Sequence, residues 1–531
     1  MRPSLLLWSA SVFVCIIASQ TNKVAAQMES EAAGATPARA VYIRPSEVRF
    51  THENVRFEDP PNVRETMGLS SLALDLHFDN GFSAGPAAYA ATSGKRGGFI
   101  GIGMNLGYRF FPANTWSLGP MIFLGAAGGV VTPVGEGLML RPSFVIGHDW
   151  GRLATGLGYA WTKFPKGGFH SDGIFGQISL KSSFLYMDDS FTIAGDLPPG
   201  NLLRDDIPWV SRRWRVAPSF RMYFPKATSV DLTGQSYGKN IQLGGIGIER
   251  YLDERWFMSL EAFGAFTQGT GGYMSLTSGL GYAYPITEDF SIGPKLNLGA
   301  SGGHNADTGG GLILEPSAQA VYRFTRFNSI HICGGYIYSL DGNFRFPTAG
   351  IGFSGEFSGL DTTQETSRLV AARLPSDVDP VDWRFSLSSQ KYLLAGLSDP
   401  QTNRPLRDQD LLGLVLDYRI DEYLFLSAGA YWPYLGDAAG YAAGLFGMTI
   451  RLPLVDRLAL ELQAKGGPAA GAGLPTGDGI LFLAMVGPDI RISQRISVFA
   501  SAGIMGFKGS INSDILEFGL RYWFGIPAYW W

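Results

Sequence analysis

The segment SLGPMIFLGAAGG, residues Ser117–Gly129, returns further along the chain as SIGPKLNLGASGG, residues Ser291–Gly303. Eight of the thirteen aligned positions are identical. Trp214-Arg215 recurs as Trp383-Arg384, 169 residues later, and a weaker counterpart, Val48-Arg49, precedes both. A single spacing of about 168 residues indicates an internal repeat. The sequence therefore predicts three diverged copies of one unit.

Each copy divides into eight apolar or alternating segments, most of them nine to thirteen residues long. A tilted strand that crosses a membrane needs about 9–11 residues. Short turns alternate with longer loops rich in Gly, Pro and Asp, as at 421–423 and 433–440. Bacterial barrels keep their short turns in the periplasm and their longer loops outside. The pattern predicts an all-β, antiparallel, up-and-down transmembrane β-barrel fold with about 24 strands, and both ends of every copy on the periplasmic side.

The predicted boundaries of the signal peptide, barrel units and linkers follow from these segments. Residues 1–26 are typical of a signal peptide, because Arg2 precedes an uncharged apolar run and small residues precede Gln27. The run is shorter than the ~20 residues of a spanning helix, which makes a membrane anchor the less favoured alternative. The predicted order is signal peptide 1–26, leader 27–47, barrel unit 48–186, linker 187–213, barrel unit 214–358, linker 359–382 and barrel unit 383–531.

The side chains of each predicted strand alternate between two faces. In the fifth strand of the second unit, Phe290, Ile292 and Leu296 point one way, and Ser291 and Lys295 point the other. Such alternation predicts a strand with one apolar face. A soluble β-sandwich alternates too, with its apolar face inward, so this alternative stays open. Tyr and Trp near the strand ends, and a polar face rich in Gly, Ala and Ser, favour lipid outside and a filled lumen within.

Composition narrows the possible functions. The 531 residues include 70 Gly and only 17% charged residues, with a net charge of −4. The 46% hydrophobic content argues against disorder, and the lack of basic excess predicts no nucleic-acid partner. Cys333 is the one cysteine beyond the predicted signal peptide, so neither an intramolecular disulfide nor a cysteine metal site is expected. In lipid only a closed barrel satisfies the backbone of β-strands. We therefore predict the bacterial outer membrane as location and its lipid as a partner.

Two glycine-rich runs carry a family resemblance. GGFIGIGMNLGYRF (Gly97–Phe110) and GGYMSLTSGLGYAY (Gly271–Tyr284), each followed by a tight turn and an apolar strand, resemble the small eight-stranded outer-membrane barrels of the OmpA/OmpX type. The terminal run FGLRYWF is similar to the aromatic strand read by the outer-membrane assembly machinery, which the resemblance implies as a partner. The resemblance covers nearly all of the mature chain and implies an architecture rather than an activity. The tripled unit and the seven residues after Phe524 depart from the family pattern.

Twenty-four strands can close as three narrow barrels or as one wide barrel. The long, acidic, Pro-containing linkers favour three tandem barrels. A wide channel is water-filled and carries many inward charges, whereas few are predicted here. The predicted lumen charges are Glu261, Lys295, Glu315, Arg323, Glu356, Glu461, Lys465, Asp489, Arg491, Glu517 and Arg521. They predict either a plug of paired charges, which we favour, or an ion-selective lining.

No catalytic pattern stands out. None of the six His residues has metal-ligand spacing, and His170 and His304 are expected in outer loops beside ordinary polar residues. There is no GxSxG motif, and the glycines of Gly101–Gly107 precede no helix, which argues against a nucleotide loop. We predict no enzyme activity, no cofactor and no metal. The predicted function is a structural or surface-interaction role in the outer membrane; the alternative is a porin-like passive channel, if all strands close into one wide barrel.

Overall fold

The structure is a computed structural model that describes residues 40–59, 63–110, 115–129, 132–187, 204–266, 271–303, 305–364, 366–375 and 377–529. The predicted signal peptide, His304 and most of the leader lie outside the described residues. All regular secondary structure within these ranges is β-strand. These residues contain no helix of a length and hydropathy that would let it span a membrane.

Neighbouring strands within each sheet pair antiparallel. Their bounds are β1 (Ala40–Glu58), β2 (Arg64–His77), β3 (Phe82–Ser93), β4 (Ile100–Tyr108), β5 (Trp116–Gly128), β6 (Leu138–Asp149), β7 (Leu153–Lys163), β8 (His170–Tyr186), β9 (Trp209–Tyr223), β10 (Ile241–Tyr251), β11 (Trp256–Ala265), β12 (Met274–Tyr282), β13 (Tyr284–Pro285), β14 (Phe290–Gly302), β15 (Leu312–Arg323), β16 (Asn328–Ser339), β17 (Arg345–Thr362), β18 (Val370–Arg373), β19 (Val378–Leu393), β20 (Gln409–Arg419), β21 (Leu424–Leu435), β22 (Tyr441–Val455), β23 (Leu458–Gly471), β24 (Ile480–Arg491), β25 (Ile496–Phe507) and β26 (Asn512–Tyr529).

Three long antiparallel pairings close the sheets into three barrels. β1 pairs with β8, β9 with β17, and β19 with β26. Each barrel has eight strands, since β13 continues β12 along β14 and β18 only extends the edge of β1. The ladder between the second and third barrels, β17 to β26, spans only two residue pairs. The predicted all-β antiparallel fold is confirmed. The alternative of a single 24-stranded barrel is wrong, because every unit seals its own first strand against its last.

The closing strands run beyond the predicted unit bounds. Residues 40–47, expected in the leader, belong to β1, and residues 209–213, expected in a linker, begin β9. The predicted linker 359–382 contains β18 and the ends of β17 and β19. These extensions form because they bury a small apolar cluster at the short-turn end of the barrels. The cluster includes Val41, Ile43 and Ala372, each 0% exposed. β26 likewise continues past Phe524 to Tyr529 along β19.

The two faces of the strands have opposite character. On β14, Ile292, Leu296 and Leu298 are 43%, 50% and 48% exposed, whereas Lys295 and Asn297 are 5% and 1% exposed. The predicted alternation is confirmed on this strand. Large apolar side chains are exposed around all three barrels, while charged groups are buried within them. This arrangement reverses that of a soluble protein and matches the apolar outer band of transmembrane barrels.

Candidate functional site

The structure places every predicted lumen charge inside a barrel. Most are at least nine-tenths buried, and Arg323, Glu356 and Arg491 are half-buried near the short turns. The second barrel holds Glu261, Lys295, Glu315, Arg323 and Glu356; the third holds Glu461, Lys465, Asp489, Arg491, Glu517 and Arg521. Because every second residue of a barrel strand points inward, these groups face one another across the narrow interiors.

Arg221 is the hub of the second barrel, although the sequence reasoning missed it. Its Nη1 donates to Glu315 Oε2 at 2.8 Å, and its Nη2 donates to Glu261 Oε2 at 2.9 Å. Lys295 also pairs with Glu261, whose Oε2 accepts from Asn297 Nδ2 at 2.8 Å. The guanidinium carbon lies 4.1 Å from the ring centre of Phe263. Two carboxylates and two cations thus neutralise one another in a buried cluster.

The third barrel carries a similar network. Arg384 Nε donates to Asp417 Oδ2 at 2.6 Å, and Arg384 also pairs with Glu461. Arg521 Nη1 bridges Glu461 Oε2 at 2.8 Å and Asp489 Oδ2 at 2.6 Å. The fully buried Trp523 packs beneath this network. Its ring centre lies 5.3 Å from Arg384, 5.3 Å from Arg451 and 4.4 Å from Arg491.

The first barrel has ion pairs that the sequence analysis did not assign. Arg49 Nη2 lies 2.8 Å from Asp75 Oδ2, and Arg141 Nη2 lies 2.9 Å from Glu53 Oε1. Glu47 contacts Arg109 at 3.2 Å nearer the short turns. All of these residues except Arg109, which follows β4, lie at inward positions of alternating strands, and this alternation is visible in the sequence. The first unit therefore has the same kind of interior as the other two.

Two ion pairs recur from barrel to barrel. The first comprises the arginines of the repeated dipeptides, each paired with an acid on the second strand of its barrel: Arg49 with Asp75, Arg215 with Glu249, and Arg384 with Asp417. The second joins the first and sixth strands with reversed signs, as Glu53–Arg141 in the first barrel and Arg221–Glu315 in the second. In this second pair the acid and the arginine exchange strands between the two copies, while the charge balance is kept. That exchange is the behaviour of a structural pair rather than of a lining that selects one ion sign.

Apolar side chains fill each lumen toward the long loops. Phe99, Phe164 and Phe169 pack together in the first barrel, all at most 1% exposed. The equivalent groups are Tyr223, Tyr273 and Phe344 in the second barrel and Tyr392, Tyr431 and Tyr441 in the third. The lumens are therefore closed by aromatic rings at one end and by paired charges in the middle.

The barrels also contact one another near their long loops. A buried apolar cluster unites all three, with Ile102 and Ala126 from the first, Ala300 from the second, and Trp432 and Ala442 from the third. Further contacts between outward faces involve β3 with β14, β5 with β21, and β11 with β22. The three barrels are thus packed around a common junction rather than strung out on linkers.

Glycine permits the close approach of the barrels at this junction. A Cβ on Gly128 of the first barrel would lie 1.4 Å from the carbonyl oxygen of Ala439 in the third. A Cβ on Gly98 would lie 2.4 Å from the backbone nitrogen of Gly303 in the second. The backbone N–H of Gly97 donates across the same boundary to the carbonyl of Gly309 at 2.9 Å. Any larger residue at the first two positions would push the barrels apart.

Metal-ligating side chains do not gather in the described ranges: no three His, Cys, Asp or Glu residues there form a group that could hold a metal ion. His170, expected in an outer loop, is instead the first residue of β8, and Asp172 on the same strand accepts a hydrogen bond from Tyr159.

Comparisons with solved structures return weak matches. No protein-family model and no curated protein matches the chain. A de novo designed transmembrane β-barrel matches with 11% identity and a TM-score of 0.18, over 28% of this chain and 94% of that one. The ferric enterobactin receptor of Pseudomonas aeruginosa matches with 9% identity and a TM-score of 0.26, over 92% and 82% of the two chains. The siderophore receptor of Acinetobacter baumannii matches with 8% identity and a TM-score of 0.26, over 92% and 81%. Likenesses this weak carry no argument about activity, and the resemblance to small OmpA/OmpX-type barrels stays a prediction.

Proposed function

We propose that the chain is an outer-membrane protein made of three plugged β-barrels, with a structural or surface-interaction role and no catalytic activity. The observation that carries the proposal is the filling of each lumen by paired charges and aromatic rings. The apolar exterior of the barrels supports lipid as their surroundings. The aromatic strand β26 supports recognition by the outer-membrane assembly machinery, since it contains the run that resembles the signal read by that machinery.

The energetics of the paired charges favour a plug over a pore. Removing one partner of a buried ion pair costs about 3–5 kcal/mol, because the other charge is left without compensation. An ion that crossed the second barrel would have to displace Arg221 from Glu261 and Glu315 at once. It would then meet the ring cluster of Tyr223, Tyr273 and Phe344. Both steps oppose conduction through the lumen.

Single-channel recording in planar bilayers tests this proposal. The purified full chain is reconstituted at low protein density, and we expect no large, steady conductance. As a control for insertion, lipid vesicles reconstituted with the same protein are digested with protease, which should leave membrane-protected barrel fragments. A large, steady conductance from inserted wild-type protein would refute the plugged barrels and support a porin-like channel.

A further inference from the structure

A cavity of about 500 Å³ lies between the three barrels at their long-loop end. All three units contribute glycines to its wall at equivalent places beside the ends of β5, β14 and β23: Gly129, Gly303 and Gly471. Because these positions carry no side chains, the space between the barrels stays open. Small-molecule sites commonly have volumes of roughly 300–1,000 Å³, so the cavity is large enough for a small organic ligand.

The floor of the cavity is apolar and aromatic. Met274 and Trp432 line it, and both pack into the cluster that joins the barrels. Trp432 is 9% exposed, so its ring is held in place by that packing. The register gives the first and second barrels Ala90 and Gly264 at the corresponding positions, opposite Ile100 and Met274. The third barrel alone therefore supplies a large aromatic ring to the floor.

The rim of the cavity carries a negative charge. Among its lining residues in the described part of the chain, Asp399 is the charged one. Its Oδ1 accepts the backbone N–H of Gln401 at 2.8 Å, and its Oδ2 accepts the hydroxyl of Thr402 at 2.8 Å. These hydrogen bonds, led by that of Gln401, hold the pKa of the Asp399 carboxyl below its usual range. The carboxylate is therefore ionised at neutral pH, and a positive ligand is the one it complements.

We propose that this cavity binds a small organic cation with an apolar body, such as a quaternary ammonium compound. The cation would rest on the face of Trp432, since indole is the best aromatic partner for a positive charge. Asp399 supplies the opposite charge at the rim, and the glycine wall lets the apolar body approach the backbone closely. The proposal does not depend on whether the barrel lumens conduct.

Isothermal titration calorimetry on the full chain in detergent micelles tests the ligand class. The probe is benzyltrimethylammonium chloride, with benzenesulfonate and benzyl alcohol as anionic and neutral comparators, and protein-free micelles provide the blank. We expect one saturable site for the cation and binding at least about tenfold weaker for both comparators. Equal binding of benzenesulfonate or benzyl alcohol would overturn the proposed class.

Two variants locate the site. Trp432→Leu removes the aromatic face and should weaken cation binding about tenfold. Asp399→Asn should weaken it about two- to fivefold, as expected for an exposed charge pair. The matched control is Asp253→Asn, because Asp253 also accepts backbone N–H groups, from Arg255 and Trp256, in a turn at the opposite end of the second barrel. Cation binding that is unchanged in both cavity variants, or weakened equally by Asp253→Asn, would overturn the proposal.

Discussion

Replacing Arg221 by leucine tests the plug most directly. Arg221 is 5% exposed and pairs with both Glu261 and Glu315. Its loss leaves Glu315 buried without a cation, whereas Glu261 keeps Lys295. One buried carboxylate is therefore left uncompensated. We expect the second barrel to lose about 3–5 kcal/mol of stability, the range measured when one partner of a buried pair is removed.

This loss is large enough to measure by the heat-dependent mobility of folded barrels on gels. A unit of this size shifts its midpoint by about 2–4 °C per kcal/mol, so Arg221→Leu should lower it by roughly 10 °C. The double variant Arg221→Leu with Glu315→Leu removes both charges and should recover most of the loss, since apolar replacement of a whole pair is often neutral. Arg345→Leu is the control, because Arg345 is exposed and, among the described residues, its side chain contacts the ring and hydroxyl of Tyr338 and no acid. An Arg221→Leu protein as stable as wild type, with altered ion permeation, would refute the plug and favour ion selection.

Three further predictions follow from the same structure. Glu315→Ala with Glu356→Ala should lower the unfolding temperature of the second barrel, because Arg221 and Arg323 both lose an acid partner; unchanged stability on the same gels would count against a structural role. Gly128→Val should separate the first barrel from the third, since its Cβ would overlap the carbonyl of Ala439, and faster proteolysis between units would report it; Gly355→Ala, whose Cβ meets nothing within 4 Å, should leave the digestion pattern unchanged. Burial raises the pKa of Tyr237, in the loop before β10, from 10.0 to about 12, so its stabilising effect is complete below pH 10 and is lost as the pH rises through 12. Tyr237→Phe should remove that part of the alkaline stability loss in a pH series of midpoints, and an identical pH profile in the variant would contradict it.

Local patterns predicted much of the fold. Alternation along β14 identified its inward and outward side chains correctly, because side-chain direction in a strand depends only on residue parity. The same parity found inward charges such as Glu261 and Asp489 in the second and third units. The same parity applies to Arg221 on β9 and Arg141 on β6, which were not among the predicted lumen charges although both are buried.

The partner of each lumen charge could not be read from parity. Arg221 on β9 meets Glu315 on β15, which is five strands later in chain order but three strands away once β9 pairs with β17, so this contact depends on how the barrel closes. The glycine contacts between barrels could not be predicted from the sequence either. Gly128 has no side chain and so carries no face signal, yet its position decides how near the first barrel comes to the third.

The sequence by itself determined the strand content, the tripled unit and the opposition of apolar and polar faces, because these properties arise from short-range periodicity and internal similarity. Only the tertiary structure decided that each unit closes on itself, that its charges balance within one lumen, and that the barrels pack around a glycine-lined cavity. The reason is that closure pairs residues more than a hundred positions apart, such as Tyr42 with Tyr186 and Val378 with Tyr529. The alternation of side chains within one strand shows which residues face inward, but it does not show which other strand that strand pairs with.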